Sequence, residues 1–255
     1  MSNSTSTSTS TSLTGKVALI QGGSRGIGAA IVKRLAADGA TVAFTYVSSA
    51  AKAEALQHEI TADGGQALAI QADSVDAEAV QRAIARTVEA FGRIDILVNN
   101  AGVLALGSVE TLSLADFDRT LAINVRSVFV ASQAALKHMG EGGRIINISS
   151  TNAERMPFAG GATYAMSKSA LTGLVKGMSR DLGPRGITVN NVQPGPVDTD
   201  MNPADGEMAP GMLGLMALDR YGTAAEIADF VAFLASPKAG YITGASLTID
   251  GGFGA

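Results

Sequence analysis

The sequence predicts an α/β fold, doubly wound, with a parallel sheet covered by helices on both faces. Two observations carry this. Short runs rich in Val, Ile, Leu and Ala alternate along the chain with segments of helical periodicity, and strands separated by helices of this length are joined by parallel crossovers. The strand runs are also continuously apolar, as expected of strands buried on both faces.

The elements follow in order from Leu13. Lys16–Gln21 reads as a first strand, followed by a cluster of Gly22, Gly23, Gly26 and Gly28. A helix is predicted over Ala29–Asp38, where Ile31, Val32 and Leu35 share a face and Gly39 is placed as a stop. Further strands are expected at Thr41–Val47, Ala67–Gln71 and Ile94–Val98. Between them lie helices at Ala51–Ala62, ended by Gly64 and Gly65, and at Asp76–Phe91. Next come one long helix over Asp116–Met139, a strand at Arg144–Ile148, a helix at Thr163–Leu182 and a strand at Ile187–Val192. A Pro/Gly/Met-rich excursion precedes a helix at Ala224–Leu234 and a last strand at Ser246–Ile249. No composition break or internal repeat divides residues 13–255, so a single domain is expected there.

Residues 1–12 are nearly pure Ser and Thr. They have little to bury and are expected to be disordered. They lack the basic and apolar regions of a secretory signal. Of the 255 residues, 46% are apolar and 16% charged, which suits a sizeable core. A formal net charge of −4 gives no electrostatic reason to bind a nucleic acid polymer or an anionic membrane, and no apolar stretch is long enough to span a bilayer. The chain has no cysteine, which excludes disulfides, thiol catalysis and cysteine-ligated zinc and suits a reducing cytoplasm. His58 and His138 have no ligand partners at metal spacing, so no metal is expected.

The first strand runs into Gly22-Gly23-Ser24-Arg25-Gly26-Ile27-Gly28 and then a helix. Glycines let the backbone turn sharply and approach a pyrophosphate, and the helix N-terminus presents N–H groups and a positive dipole end to it. The spacing is Gly-x-x-x-Gly-x-Gly. It marks a dinucleotide site, or else merely a tight strand–helix turn. A carboxylate at the end of the second strand would hold the ribose 2′-OH of NAD. Here that end reads Thr45-Tyr46-Val47-Ser48-Ser49. With no acid there, and with Arg25 able to pair with a 2′-phosphate and Ser48 to donate a further hydrogen bond, the cofactor read is NADPH/NADP+.

Tyr164 and Lys168 stand four residues apart in a predicted helix, on one face, as a catalytic pair or else merely an exposed tyrosine and a surface lysine. A phenol has a pKa of ~10 and needs a neighbouring positive charge to serve as a base near neutrality. Ser150 lies just past the strand Arg144–Ile148, where strand carboxyl ends face a ligand crevice. Asn99-Asn100-Ala101-Gly102 follows the fourth strand at the same sheet edge. Asn124 sits among Leu121, Ile123 and Val125, either buried with partners or on a helix face in water.

This set, with Asp73, Pro194-Gly195 and Thr199, resembles the short-chain dehydrogenases/reductases from about Leu13 to Ala255. The resemblance implies a Rossmann fold with a seven-stranded parallel sheet and a tetrad of Asn124, Ser150, Tyr164 and Lys168. It also implies a cofactor set of Gly22, Ser24, Arg25, Gly26, Ile27, Gly28, Tyr46, Ser48, Asp73, Ser74, Asn100, Ala101, Gly102, Tyr164, Lys168, Pro194, Gly195, Val197 and Thr199. Within this set Asp73 stands near the adenine and the Val197 backbone at the nicotinamide amide. One departure is Gln21, where the family usually has Thr before the first glycine.

The implied reaction is hydride transfer between NADPH and a carbonyl carbon, giving a secondary alcohol. Tyr164 supplies the proton and Ser150 polarises the carbonyl. Lys168 lowers the tyrosine pKa and binds the nicotinamide ribose, and Asn124 holds a relay water. The family also implies a homotetramer formed through the helices Asp116–Met139 and Thr163–Leu182 and the last strand. Ala131, Ala134, Ala135, Ala170 and Gly173 are small enough for close helix packing there, or for packing within one subunit. The loop with Met208, Met212, Leu213, Leu215 and Met216 reads equally as a substrate lid or as core.

Within the family two branches stand as alternatives. One is 3-oxoacyl-[acyl-carrier-protein] reductase, against which Lys137-His-Met-Gly-Glu-Gly is only weakly basic. The other, and the closer likeness, is a branch described as cyclic-di-GMP-binding mediators of biofilm dispersal. Gly22-Gly-Ser-Arg-Gly-Ile-Gly-Ala-Ala-Ile-Val, Arg155-Met-Pro, Val192-Gln-Pro-Gly-Pro, Asp198-Thr-Asp and Gly252-Phe-Gly-Ala resemble it. A complete tetrad weighs toward an enzyme.

Overall fold

A computed structural model describes residues 13–255; the Ser/Thr-rich stretch expected to be disordered lies outside the described residues. The strands are β1 (Val17–Ile20), β2 (Thr41–Tyr46), β3 (Ala67–Gln71), β4 (Ile96–Asn99), β5 (Arg144–Ile148), β6 (Thr188–Pro194), β7 (Val197–Asp198), β8 (Gly222–Thr223) and β9 (Ser246–Ile249). The helices are α1 (Gly26–Ala37), α2 (Ala50–Ala62), α3 (Ala77–Phe91), α4 (Leu114–Leu121), α5 (Ser127–Ala135), α6 (Ala162–Leu182), α7 (Ala209–Leu213) and α8 (Ala224–Ala235). Seven strands form one sheet in the order β3-β2-β1-β4-β5-β6-β9, with every pair parallel.

Alternate residues of each strand serve opposite faces. Ile20, Phe44, Val98 and Ile148 pack with α1, α2 and α8. Leu19, Ala43, Leu97 and Ile145 pack with α3, α5 and α6. This double coverage explains the unbroken apolar strands. The chain reverses direction along the sheet between β1 and β4, and that reversal opens a crevice at the strand carboxyl ends.

Most elements fall within a residue or two of the expected spans. α1 begins at Gly26 rather than Ala29, so the glycine run itself makes the first helical turn. β4 starts two residues later than expected, beyond Asp95, whose carboxylate accepts the Val17 N–H at 2.9 Å. The one long helix expected over Asp116–Met139 is instead α4, a π-helical turn at Ala122–Arg126, and α5. π-Turns gather at functional sites, and this one carries Asn124. The small-residue argument for a helix interface divides. Ala131 and Ala135 are buried inside the subunit and Ala134 packs on the same core, whereas Ala170 and Gly173 face outward. The excursion after β6 holds α7 and the two-residue pair β7–β8, which periodicity did not reveal. No helix among the described residues is long and apolar enough to cross a membrane.

Candidate active site

The glycine turn is pinned from both sides. Thr45 Oγ1 at the end of β2 accepts the Gly22 N–H at 2.9 Å. Asn100 Nδ2, just past β4, donates to the carbonyls of Gln21 at 3.1 Å and Gly22 at 2.9 Å. Gly22 and Gly26 hold φ of +68° and +53°, the left-handed region that L side chains rarely adopt. A Cβ on Gly28 would lie 2.1 Å from the Gly22 carbonyl oxygen. Gln21 stands where Thr is usual, yet the turn is complete without its side chain, since Thr45 and Asn100 do the pinning. The Gln21 Oε1 is buried with no hydrogen-bond partner among the described residues.

No side chain caps the N-terminus of α1, and no acid stands in its first turn. A helix end of this kind leaves N–H groups directed at an anion. Beside it, Tyr46 and Ser48 line the same cleft as Arg25, which is exposed and has no side-chain partner among the described residues. Asp73 and Ser74 line the next stretch, where Asp73 Oδ1 accepts the Val75 N–H at 3.0 Å.

At the other end of the cleft, β5 delivers Ser149 and Ser150. Ser150 Oγ accepts the Asn152 N–H at 3.1 Å and donates to Asn152 Oδ1 at 3.3 Å. α6 aims Tyr164 and Lys168 at the same place, with Lys168 Nζ 5.8 Å from the centre of the Tyr164 ring. Lys168 is only 4% exposed and donates to the Ile148 carbonyl at 2.8 Å. Burial pulls its ammonium down to about 8. Burial pushes the Tyr164 phenol up, and a hydrogen bond to Ser150 opposes this. The lowering of the phenol by Lys168 expected from sequence is not among the causes of its shift: burial dominates, and the opposing contribution comes from the hydrogen bond to Ser150.

Asn124 is buried, at 1% exposure, and not on a water-facing surface. Its Oδ1 accepts the Val103 N–H at 2.9 Å, and its Nδ2 donates to the Val103 carbonyl and to Ser167 Oγ, both at 3.0 Å. Both amide hydrogens are thus engaged in tying the loop after β4 to α6, so a relay water would have to use other atoms of this residue. The wide π-turn sets the amide facing Val103 rather than along the helix surface.

One cleft of about 460 Å³ gathers every expected site residue except Asn124, which stands behind Gly102 and Val103. A Cβ on Gly102 would lie 3.4 Å from Lys168 Nζ and 3.6 Å from Asn124 Oδ1. Pro194, Gly195, Val197 and Thr199 form the wall contributed by the end of β6 and the β7 segment beyond it. Met208 and Met212 line the cleft, as the lid reading has it, while Met216 lies half-buried beside Gly251 and joins neither core cluster. Asn152, Phe158 and Phe253 also line it. Sequence reasoning missed these three because they lie in irregular segments where no periodicity assigns a direction. No cluster of three or more His, Cys, Asp or Glu among the described residues could hold a metal ion.

A family model described as enoyl-(acyl carrier protein) reductase matches residues 22–254. The cyclic-di-GMP-binding biofilm dispersal mediator protein of Escherichia coli K12 is 50% identical over 242 residues, covering 95% of this chain and 98% of that protein. The short-chain dehydrogenase/reductase of Serratia marcescens BCRC 10948 is 68% identical with a TM-score of 0.94, covering 95% of this chain and 99% of that one. A short-chain dehydrogenase of Burkholderia cenocepacia J2315, solved in complex with NADP, is 58% identical with a TM-score of 0.94 and the same coverage. With this fold, this cleft and these relatives, the chain belongs to the short-chain dehydrogenase/reductase family of oxidoreductases.

Proposed function

We propose that the protein is an NADP(H)-dependent carbonyl reductase and alcohol dehydrogenase, interconverting a ketone or other carbonyl with a secondary alcohol. The observation that carries this is the convergence of Tyr164, Ser150 and Lys168 at the far end of a cleft that begins at the glycine turn. The residues present fit a dinucleotide: left-handed glycines, an uncapped α1 terminus without acids, and a cleft running from there to Tyr164. Gly22, Ser24, Gly26, Ile27 and Gly28 would seat the pyrophosphate, with Arg25, Tyr46 and Ser48 around the 2′-phosphate. Asp73 and Ser74 would stand near the adenine, Asn100, Ala101 and Gly102 along the middle, and Pro194, Gly195, Val197 and Thr199 by the nicotinamide.

When bound, NADPH supplies a hydride to the carbonyl carbon. Ser150 Oγ donates a hydrogen bond to the carbonyl oxygen and orients it. Tyr164 shares that oxygen and gives it a proton, as a positioned general acid. Lys168 holds the nicotinamide ribose, and its ammonium stabilises the phenolate left behind. Asn124 keeps the Val103 loop and α6 in register. Burial pushes the phenol further toward its protonated form, which suits the reductive direction.

Replacing Arg25 with alanine is expected to reduce the preference for NADPH over NADH about tenfold, since a charge-assisted hydrogen bond contributes roughly 1.5–3 kcal/mol. Paired fluorescence titrations read this, and tighter NADH binding by the wild type would refute the cofactor assignment. Identity to a relative described as binding cyclic-di-GMP keeps a second reading in view. Equilibrium titration with cyclic-di-GMP against NADPH separates a nucleotide-binding regulator from an enzyme.

We further read residues 13–255 as one domain, working in the cytoplasm as a homotetramer. Phe129 on α5 and Met166 on α6 are 50% and 44% exposed, apolar side chains that a helix-paired interface would cover. Two different two-fold contacts with perpendicular axes generate a closed tetramer of D₂ symmetry. Light scattering coupled to size exclusion is expected to give a tetramer. A fully active monomer at micromolar concentration would be incompatible with this assembly.

A further inference from the structure

The segment after β9 is gripped from two sides. Arg155 Nη1 donates to the carbonyl oxygen of Phe253 and, at 3.0 Å, to Ala255 O. On the same side Thr151 Oγ1 reaches Asp250 Oδ2 at 3.5 Å, and that oxygen also accepts the Gly254 N–H at 2.7 Å. On the opposite side the Leu218 N–H, from the stretch after α7, donates to the Gly251 carbonyl at 2.9 Å. The fit is close: a Cβ on Gly254 would lie 2.8 Å from Thr151 Cγ2, and one on Gly252 2.4 Å from Ala217 Cβ. Gly251 and Gly252 turn the chain at φ of +62° and +81°. The turn directs Phe253 inward, where it is 2% exposed and lines the cleft beside Ser150 and Asn152.

Arg155 has a second connection. Its own carbonyl accepts Asn152 Nδ2 at 3.0 Å, and Asn152 in turn holds Ser150 Oγ. The group that would orient the carbonyl and the wall beside it therefore share one support. Arg155 makes no ion pair with an Asp or Glu side chain among the described residues, so its donors serve the segment after β9.

We propose that Phe253 is a specificity-determining wall that limits the size of the carbonyl substrate, and that Arg155 is the positioning residue that clamps this wall in place. The inference rests on the reductase reading above and deepens it. A rigid aromatic wall rejects a bulky group beside the carbonyl because its backbone cannot yield: it is tied to the Ser150 loop by Arg155 and to the methionine-bearing loop by Leu218. Removing the ring creates space on the side of the cleft next to Ser150, without touching the glycine turn.

The test compares 2-butanone with benzophenone. Phe253→Ala is expected to shift the kcat/KM ratio toward benzophenone by about tenfold or more, the scale of discrimination by apolar pocket volume. Arg155→Ala should shift it the same way by a smaller factor, chiefly through KM, and Arg155→Lys, which keeps a cationic donor, should restore part of the wild-type ratio. NADPH titration should be little changed in each variant. Phe253→Leu serves if Phe253→Ala fails to fold. The same two ketones are titrated by thermal shift with NADP+ present, which reads the wall without turnover. Absence of turnover with both ketones would count against the reductase reading, while the thermal-shift ratio would still judge the wall. An equal loss for both ketones in Phe253→Ala or Phe253→Leu, or an unchanged thermal-shift ratio, overturns the proposal. So does an Arg155→Ala ratio identical to wild type.

Discussion

Tyr164→Phe is expected to lower ketone reduction by about 10²–10⁴-fold, the usual range for loss of a positioned general acid, while NADPH affinity changes little. The ring remains, so packing in the cleft is preserved; only the proton and the hydrogen bond to Ser150 are lost. The pH profile of the wild type should carry the same signature. Because burial raises the phenol, reduction should hold through neutral pH and fall as the pH passes the raised tyrosine value. Alcohol oxidation needs phenolate and should rise with pH over that range. Lys168, pulled down to about 8, should add a second limb, with NADPH binding weakening above that pH as the ammonium is lost. Stopped-flow turnover and fluorescence titration across pH separate the two groups. Retention of most wild-type turnover by Tyr164→Phe would remove Tyr164 from the proton-donor role.

The second large effect is expected at the glycine turn. In Gly28→Ala the new methyl would stand 2.1 Å from the Gly22 carbonyl oxygen and 2.5 Å from Asn100 Nδ2. Neither can move cheaply: the first is backbone at positive φ, and the second donates to the Gln21 and Gly22 carbonyls. The turn must therefore open and withdraw its N–H groups from a bound pyrophosphate. A loss of about 100-fold in NADPH affinity is expected, equivalent to about 3 kcal/mol. Gly177→Ala is the control, since a Cβ there meets nothing within 4 Å and alanine favours the helix. Its NADPH affinity should equal wild type. Thermal melts show whether each variant folds. A folded Gly28→Ala protein with wild-type NADPH affinity would mean that the pyrophosphate sits elsewhere.

Clamps of this kind explain why parts of the site were legible in the sequence and others were not. Gly28, Tyr164 and Lys168 are placed by local rules: a strand–turn–helix junction, or two side chains on one helix face. Their placement can be read from spacing. Asn124 is different. Its position in a helix was evident, but burial and engagement by Val103 and Ser167 depend on a loop 21 residues away and a helix 43 residues away. The same holds for Phe253, whose place in the cleft depends on Arg155, 98 residues earlier in the chain.

By itself the sequence determined the strand–helix alternation, the double coverage of the sheet, the glycine turn and the Tyr–Lys face, because each follows from periodicity or from backbone freedom within a few residues. Only the tertiary structure decided the strand order, the π-turn at Asn124, which of the loop methionines line the cleft, and the direction of the tyrosine shift. Each of these depends on which distant surfaces meet. Burial in particular is a property of the assembled layers, and at Tyr164 desolvation by those layers, opposed by the hydrogen bond to Ser150, sets the direction of the shift.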